Sequence, residues 1–379
     1  MSRETPNAKQ RRNQQSACML QAAGSSEAHN NNKQQETRTH TRYFHKLAPK
    51  MRVLITGASG FLGQHFLFSL MQTSVSNEIF AIYHSSEGFE EAVLSHKEST
   101  RTKNVHFHKL DLTSKDDVDK YFELLKEPFD ICYHLAALSS PRVCHAFPER
   151  AKLINTPSHF LEKLKDTTII ALSTDQVYDG TSPHLYDEES DEPGPINTYA
   201  QTKLDLENLL LSDDSKRTQP TICLRSSIIL GILAPFGGNV HNTFLHFCQS
   251  RQGQETTFYT DEIRSVINVN DVNHVLLYFY DCMQQGTIDG MDSRVYNMGG
   301  SERVSRMEMA AAVAEHCNFQ NHEEHFIPAK KTEQKTTSNS VLSPLDISMS
   351  SSKLEELVGL KFQGLVSTVK QTFADTSQE

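Results

Sequence analysis

Met51–Arg52–Val53–Leu54–Ile55–Thr56–Gly57–Ala58–Ser59–Gly60–Phe61–Leu62–Gly63 is the stretch that decides the fold. A short apolar run ends at a glycine. Apolar residues then recur at helical spacing through Phe66, Leu67 and Leu70. This reads as a strand, a tight turn and a helix. Gly57 permits the turn, Gly60 lets the backbone approach a pyrophosphate, and Gly63 lets the helix pack closely on the strand. Free N–H groups and the positive helix end would hold the phosphates.

The same alternation continues along the chain. Glu78–Tyr83, Val105–Phe107, Phe129–Leu135, Thr168–Leu172 and Thr221–Leu224 are further strand candidates. Helical spacing lies between them, for example through Val118, Tyr121, Phe122 and Leu125. Continuous apolar strands separated by helices predict an α/β fold with a parallel sheet covered on both faces, a doubly wound Rossmann arrangement. After about residue 235 the alternation fades. Helical signals return at Met307–Val313 and Leu354–Leu357. The expected organisation is a dinucleotide-binding domain over 51–235 and a smaller, mostly substrate-binding part over 236–379.

Residues 1–50 differ from the rest. They hold nine basic and three acidic residues, in a chain whose net charge is −10. Gln, Asn and Ser dominate and apolar periodicity is missing, so this stretch is expected to be a disordered polar extension. A transit peptide is the weaker alternative, and Met51 would serve as a start before the first strand. The negative balance argues against nucleic acid or an anionic membrane as the main partner. No apolar run approaches the ~18 residues of a spanning helix. The seven cysteines are dispersed without a CxxC pair, which favours a reducing, cytoplasmic setting over disulfides or a zinc site. None of the eighteen histidines falls in a metal-ligand pattern. Asp271 reads as a helix cap.

Tyr199 and Lys203 stand four apart, on one face of a predicted helix. A tyrosine titrating near ~10 is a poor acid at neutral pH. A neighbouring ammonium and a positive nicotinamide ring would favour its phenolate. Tyr199 could then exchange a proton with a carbonyl while hydride moves.

The GxxGxxG spacing resembles the extended branch of the short-chain dehydrogenase/reductases. Asp111–Leu112, His134–Leu135–Ala136–Ala137 and Tyr199–Ala200–Gln201–Thr202–Lys203 are similar to three further motifs of that superfamily. The segments Ser173–Gly180, Leu224–Gly231 and Asp346–Leu354 narrow the likeness to the dTDP-4-dehydrorhamnose reductase family. That family includes the regulatory beta subunit of methionine adenosyltransferase and plant proteins of unassigned substrate.

The resemblance implies a Rossmann domain with a C-terminal substrate domain. It implies hydride transfer from NADP (preferred) or NAD to the keto group of a nucleotide-linked sugar. Thr174, Tyr199 and Lys203 would be catalytic. Gly57, Ser59, Gly60, Phe61, Leu62, His84, Ser85, Asp111, Leu112, Ala136 and Ala137, with Tyr199 and Lys203, would bind cofactor. Asp175, Gln176 and Arg264 would meet substrate, and Asn155 resembles an asparagine kept near the site.

Two departures stand out. Ser343 occupies the place of a second diphosphate-binding arginine. Tyr83–His84–Ser85–Ser86 offers neither the acid that selects NAD nor an arginine for a 2′-phosphate. Two alternatives to the reductase remain: an NADP-binding regulatory subunit partnered with a methionine adenosyltransferase, and a sugar-nucleotide epimerase.

Overall fold

A computed structural model describes residues 50–73, 77–96, 104–212, 216–237, 244–291, 294–334 and 340–374. The expectation for the polar extension therefore lies outside the described residues, save Lys50.

The expected strands form, with ends shifted by a residue or two. They are β1 (Arg52–Thr56), β2 (Glu78–Tyr83), β3 (Val105–Lys109), β4 (Ile131–His134), β5 (Thr168–Thr174) and β6 (Thr221–Ser226). An edge strand, Val295–Met298, comes from much later in the chain and pairs with β6. The seven-stranded order is β3-β2-β1-β4-β5-β6 and then that edge strand. Every pairing in the sheet is parallel. The order reverses beside β1, between β2 and β4, and ligands of such sheets bind at the carboxyl strand ends there.

Both faces are covered, which is why the strands read as continuous apolar runs. On one face Val53, Ile55 and Tyr133 pack with Phe66 of the helix Phe61–Thr73 and with Val272 and Phe279 of Val269–Gln285. On the other, Leu54, Cys132 and Ala171 pack with Phe160, Leu206 and Leu210. A separate small core around Leu245, Phe258, Met309, Phe326 and Val369 builds the C-terminal part. The six cysteines among the described residues are free.

Asp271 does not cap its helix. Asn268 does, accepting from Asn270 N at 2.8 Å. The Asp271 carboxylate instead accepts from Gln363 N at 2.8 Å and Gln363 Nε2 at 3.1 Å. Its charge in the first turn still suits the helix dipole, but its partners come from a segment ninety residues away.

Candidate active site

The turn after β1 lies against the end of β4. Gly57 has φ +70°, and a Cβ there would stand 2.8 Å from Ala136 Cα and N. A Cβ on Gly63 would collide with the Gly57 carbonyl oxygen. Only glycine fits either position. Thr56 Oγ1 accepts from Ala136 N at 3.2 Å and pairs with His134 Nδ1 at 2.9 Å, tying β1 to β4. Ser86 Oγ donates to Ser59 Oγ at 2.9 Å, tying the end of β2 to the glycine loop.

A cleft of about 520 Å³ opens over these strand ends. Gly57, Ser59, Gly60, His84, Ser85, Asp111, Leu112, Ala136 and Ala137 all line it. Phe61 and Leu62 do not, because they start the following helix, and Leu62 points into the core. Arg150, Leu153 and Ile154 line the cleft as well. They come from the helix Pro148–Asn155, whose sequence carries no ligand motif. Burial pushes the Asp111 carboxyl up. The Thr113 N–H and hydroxyl, at 2.9 and 2.8 Å, and the nearby charges of His84 and Arg150 outweigh that and hold it below the usual range.

Tyr199 and Lys203 lie on the helix Thr198–Leu211, which Asn197 caps by accepting from Ala200 N at 2.9 Å. Both are buried, Lys203 to 2% exposure. Burial raises the Tyr199 phenol well above its ordinary value, opposed by a hydrogen bond from Thr174. Burial brings Lys203 down to about 8, opposed by nearby Cys223, Glu207 and Cys144.

The Thr174 hydroxyl reaches both Tyr199 and the Asp175 carboxylate, at 3.2 Å from the latter. Its one proton can serve only one of them. Burial raises Asp175, with the Arg264 charge and Ser227 Oγ, at 2.8 Å, acting against it. Asn197 Nδ2 donates to Gln176 Oε1 at 3.0 Å and to Leu342 O at 3.2 Å. Thr174, Asp175, Gln176 and Tyr199 thus form one group at the end of β5 and the start of the helix.

Arg264 is held differently. It is 2% exposed, and its Nη atoms donate to the carbonyls of Ile263, Leu345 and Pro344 at 2.7, 2.9 and 3.0 Å and to Ser343 Oγ at 3.2 Å. Glu262 lies beside it. Burial pushes that carboxyl up, but Arg306, Arg264 and Lys331 hold it down at about 2. Ser343, which stands where a second arginine was looked for, is itself a partner of the first.

Asn155 is fully buried and clamps the chain after β4. It accepts from Leu138 N at 2.7 Å and donates to Leu138 O at 3.3 Å and to Thr202 Oγ1 at 2.8 Å. Sequence reading found the residue but not this geometry, which only the packing of two helices creates. Among the described residues no cluster of potential metal ligands forms and no helix is long and apolar enough to cross a membrane.

The model of the RmlD substrate binding domain matches residues 51–377. The chain belongs to this family. Methionine adenosyltransferase 2 subunit beta of Xenopus laevis is 27% identical over 276 residues, 72% of this chain and 73% of that protein. A probable low-salt glycan biosynthesis reductase of Haloferax volcanii is 31% identical over 41% of this chain, and the match spans 47% of that relative's length. Among solved structures, dTDP-4-dehydrorhamnose reductase of Bacillus anthracis in complex with NADP superposes with a TM-score of 0.63 at 18% identity, covering 86% of this chain and all (100%) of the other. RmlD-family membership thus joins a parallel Rossmann-like sheet to the motif positions described above.

Proposed function

We propose that this protein is a nicotinamide-dependent reductase of the short-chain dehydrogenase type that reduces the keto group of a polar, sugar-like substrate. The observation that carries this reading is the group at the end of β5 and the start of the helix Thr198–Leu211. Tyr199 is buried beside Thr174, with a buried Lys203 one helical turn away.

The cleft suits a dinucleotide. The glycine turn leaves its backbone close to whatever fills the cleft, and Asp111 and the strand-end backbone offer partners for an adenosine. Reduced nicotinamide supplies hydride when bound. Tyr199 would deliver the proton to the substrate oxygen. Its burial favours the phenol that a donor must be. Thr174 would hold the same oxygen in line, releasing its bond to Tyr199 or Asp175 to do so. Lys203 would orient the nicotinamide ribose and offset charge on the tyrosine as the proton leaves. Asp175 and Gln176 would face the substrate.

One observation favours a second reading, an NADP-binding regulatory subunit partnered with a methionine adenosyltransferase. Arg264, the expected diphosphate ligand, is taken up by protein groups.

The test is to incubate the full chain with NADPH and nucleotide-linked 4-keto sugars and follow loss of reduced cofactor by absorbance. Turnover that Tyr199→Phe lowers by about 10²–10⁴ supports the reductase. Saturable NADPH binding without turnover, together with co-purification of a methionine adenosyltransferase, would replace it with the regulatory reading.

A further inference from the structure

The end of β2 reads His84–Ser85–Ser86 and carries no arginine to meet a cofactor 2′-phosphate. The tertiary structure brings one from elsewhere. Arg150 lines the same cleft as His84 and Ser85, although it belongs to the helix Pro148–Asn155, beyond two further strands. Its side chain is exposed. None of the ion pairs among the described residues includes it. It is near enough to act on the Asp111 carboxylate, and His84 Nε2 is 3.8 Å from Asp111 Oδ2. His84, Asp111 and Arg150 therefore share one cleft.

We infer that Arg150 is a specificity-determining residue that recognises the 2′-phosphate of NADP. The inference rests on the reading of the cleft as a nicotinamide dinucleotide site. Three features support it. A phosphate monoester carries close to two negative charges at neutral pH, so it needs a cation that no residue of the β2 end supplies permanently. A guanidinium is always charged and can grip a phosphate through two N–H groups. The same cleft already holds the hydroxyl of Ser59, which accepts from Ser86 Oγ at 2.9 Å. Asp111 is the opposing charge in the same cleft, and no ion pair among the described residues ties Arg150 to it. NADH lacks the phosphate and would gain nothing from Arg150.

The full chain should be titrated with NADPH and NADH by cofactor fluorescence, and with 2′,5′-ADP and 5′-AMP by displacement. Wild type should bind NADPH and 2′,5′-ADP more tightly than their partners. Arg150→Ala should weaken NADPH and 2′,5′-ADP by about 10- to 100-fold, and change NADH and 5′-AMP by no more than about twofold. Arg150→Lys should recover part of the loss. Equal weakening of all four ligands would overturn the inference and make Arg150 a contact to the shared adenosine. So would an unchanged Arg150→Ala, or a wild type that does not prefer the phosphorylated ligands. A wild type that binds neither dinucleotide would instead remove the reading of the cleft itself. Arg150 is exposed, so loss of fold does not cloud the comparison.

Discussion

Glu207 receives the guanidinium of Arg225 edge-on, with Arg225 Nη2 2.8 Å and Nε 3.2 Å from Glu207 Oε2, one helical turn beyond Lys203. Both residues are almost wholly buried, at 2% and 6% exposure. Ser173 also donates to Glu207, and Arg225 Nη1 donates to Tyr178 OH at 3.0 Å. The pair joins β5, β6 and the helix of Tyr199 beneath the site. Removing one partner leaves the other charge buried and alone. Glu207→Ala is expected to destabilise by about 3–5 kcal/mol in urea unfolding. Glu207→Leu with Arg225→Met should be milder than either single change. A single variant as stable as wild type would contradict this role.

Lys203 should make stability depend on pH. Its folded value of about 8 lies below its unfolded value of about 10.5. Below pH 8 the charged lysine is buried at full penalty. The penalty falls as pH rises from about 8 to about 10.5, so stability rises across that window. Lys203→Met should therefore stabilise the cofactor-free chain at pH 7, by on the order of 3 kcal/mol. The gain should shrink towards zero by about pH 10.5. Thermal unfolding at pH 7 and pH 10 checks both halves, and a variant less stable than wild type at pH 7 would be the wrong sign.

Asn155→Ala should strand the Leu138 N–H, while the Thr202 hydroxyl loses one donor but still donates to Tyr199 O. The expected loss is about 1–3 kcal/mol. Leu138 lines the dinucleotide cleft, so affinity for NADPH should fall as well. Fluorescence titration beside chemical denaturation separates the two effects. Unchanged affinity would mean that the loop after β4 keeps its shape without the clamp.

Arg264 fastens Ser343–Leu345 to the strand that carries it. Arg264→Met would leave the Pro344 carbonyl without its donor, while Leu345 O and Ile263 O keep backbone donors, and a loss of about 1–3 kcal/mol is expected. Proteolysis between Ser340 and Leu345 should quicken. A guanidinium serving a substrate diphosphate behaves differently. Wild type would then bind dTDP or UDP by calorimetry, the variant would not, and cleavage in the segment would stay slow.

Much of the fold was legible because its signals are local. The strand ends moved by a residue or two, since a strand stops where its hydrogen-bonded neighbour stops. The edge strand Val295–Met298 escaped notice because it is short and follows an irregular stretch. The glycine turn, the Asp111 position and the Thr174–Tyr199–Lys203 set were readable, because each is a residue type at a fixed spacing from a strand or helix end. Asp271 was misread because a cap and a first-turn acid look alike in sequence.

The sequence by itself determined the alternation of strand and helix, the glycine turn and the tyrosine and lysine placed on one helix, all of which depend on neighbours in the chain. Only the tertiary structure decided what distant residues do to one another. It buried Tyr199 beside Thr174 and Asp175. It turned Arg264 onto the carbonyls of residues 80 positions away. It carried Arg150 to a cleft that His84 and Ser85 also line. Burial and through-space charge arise from three-dimensional neighbours, and spacing along a chain does not encode them.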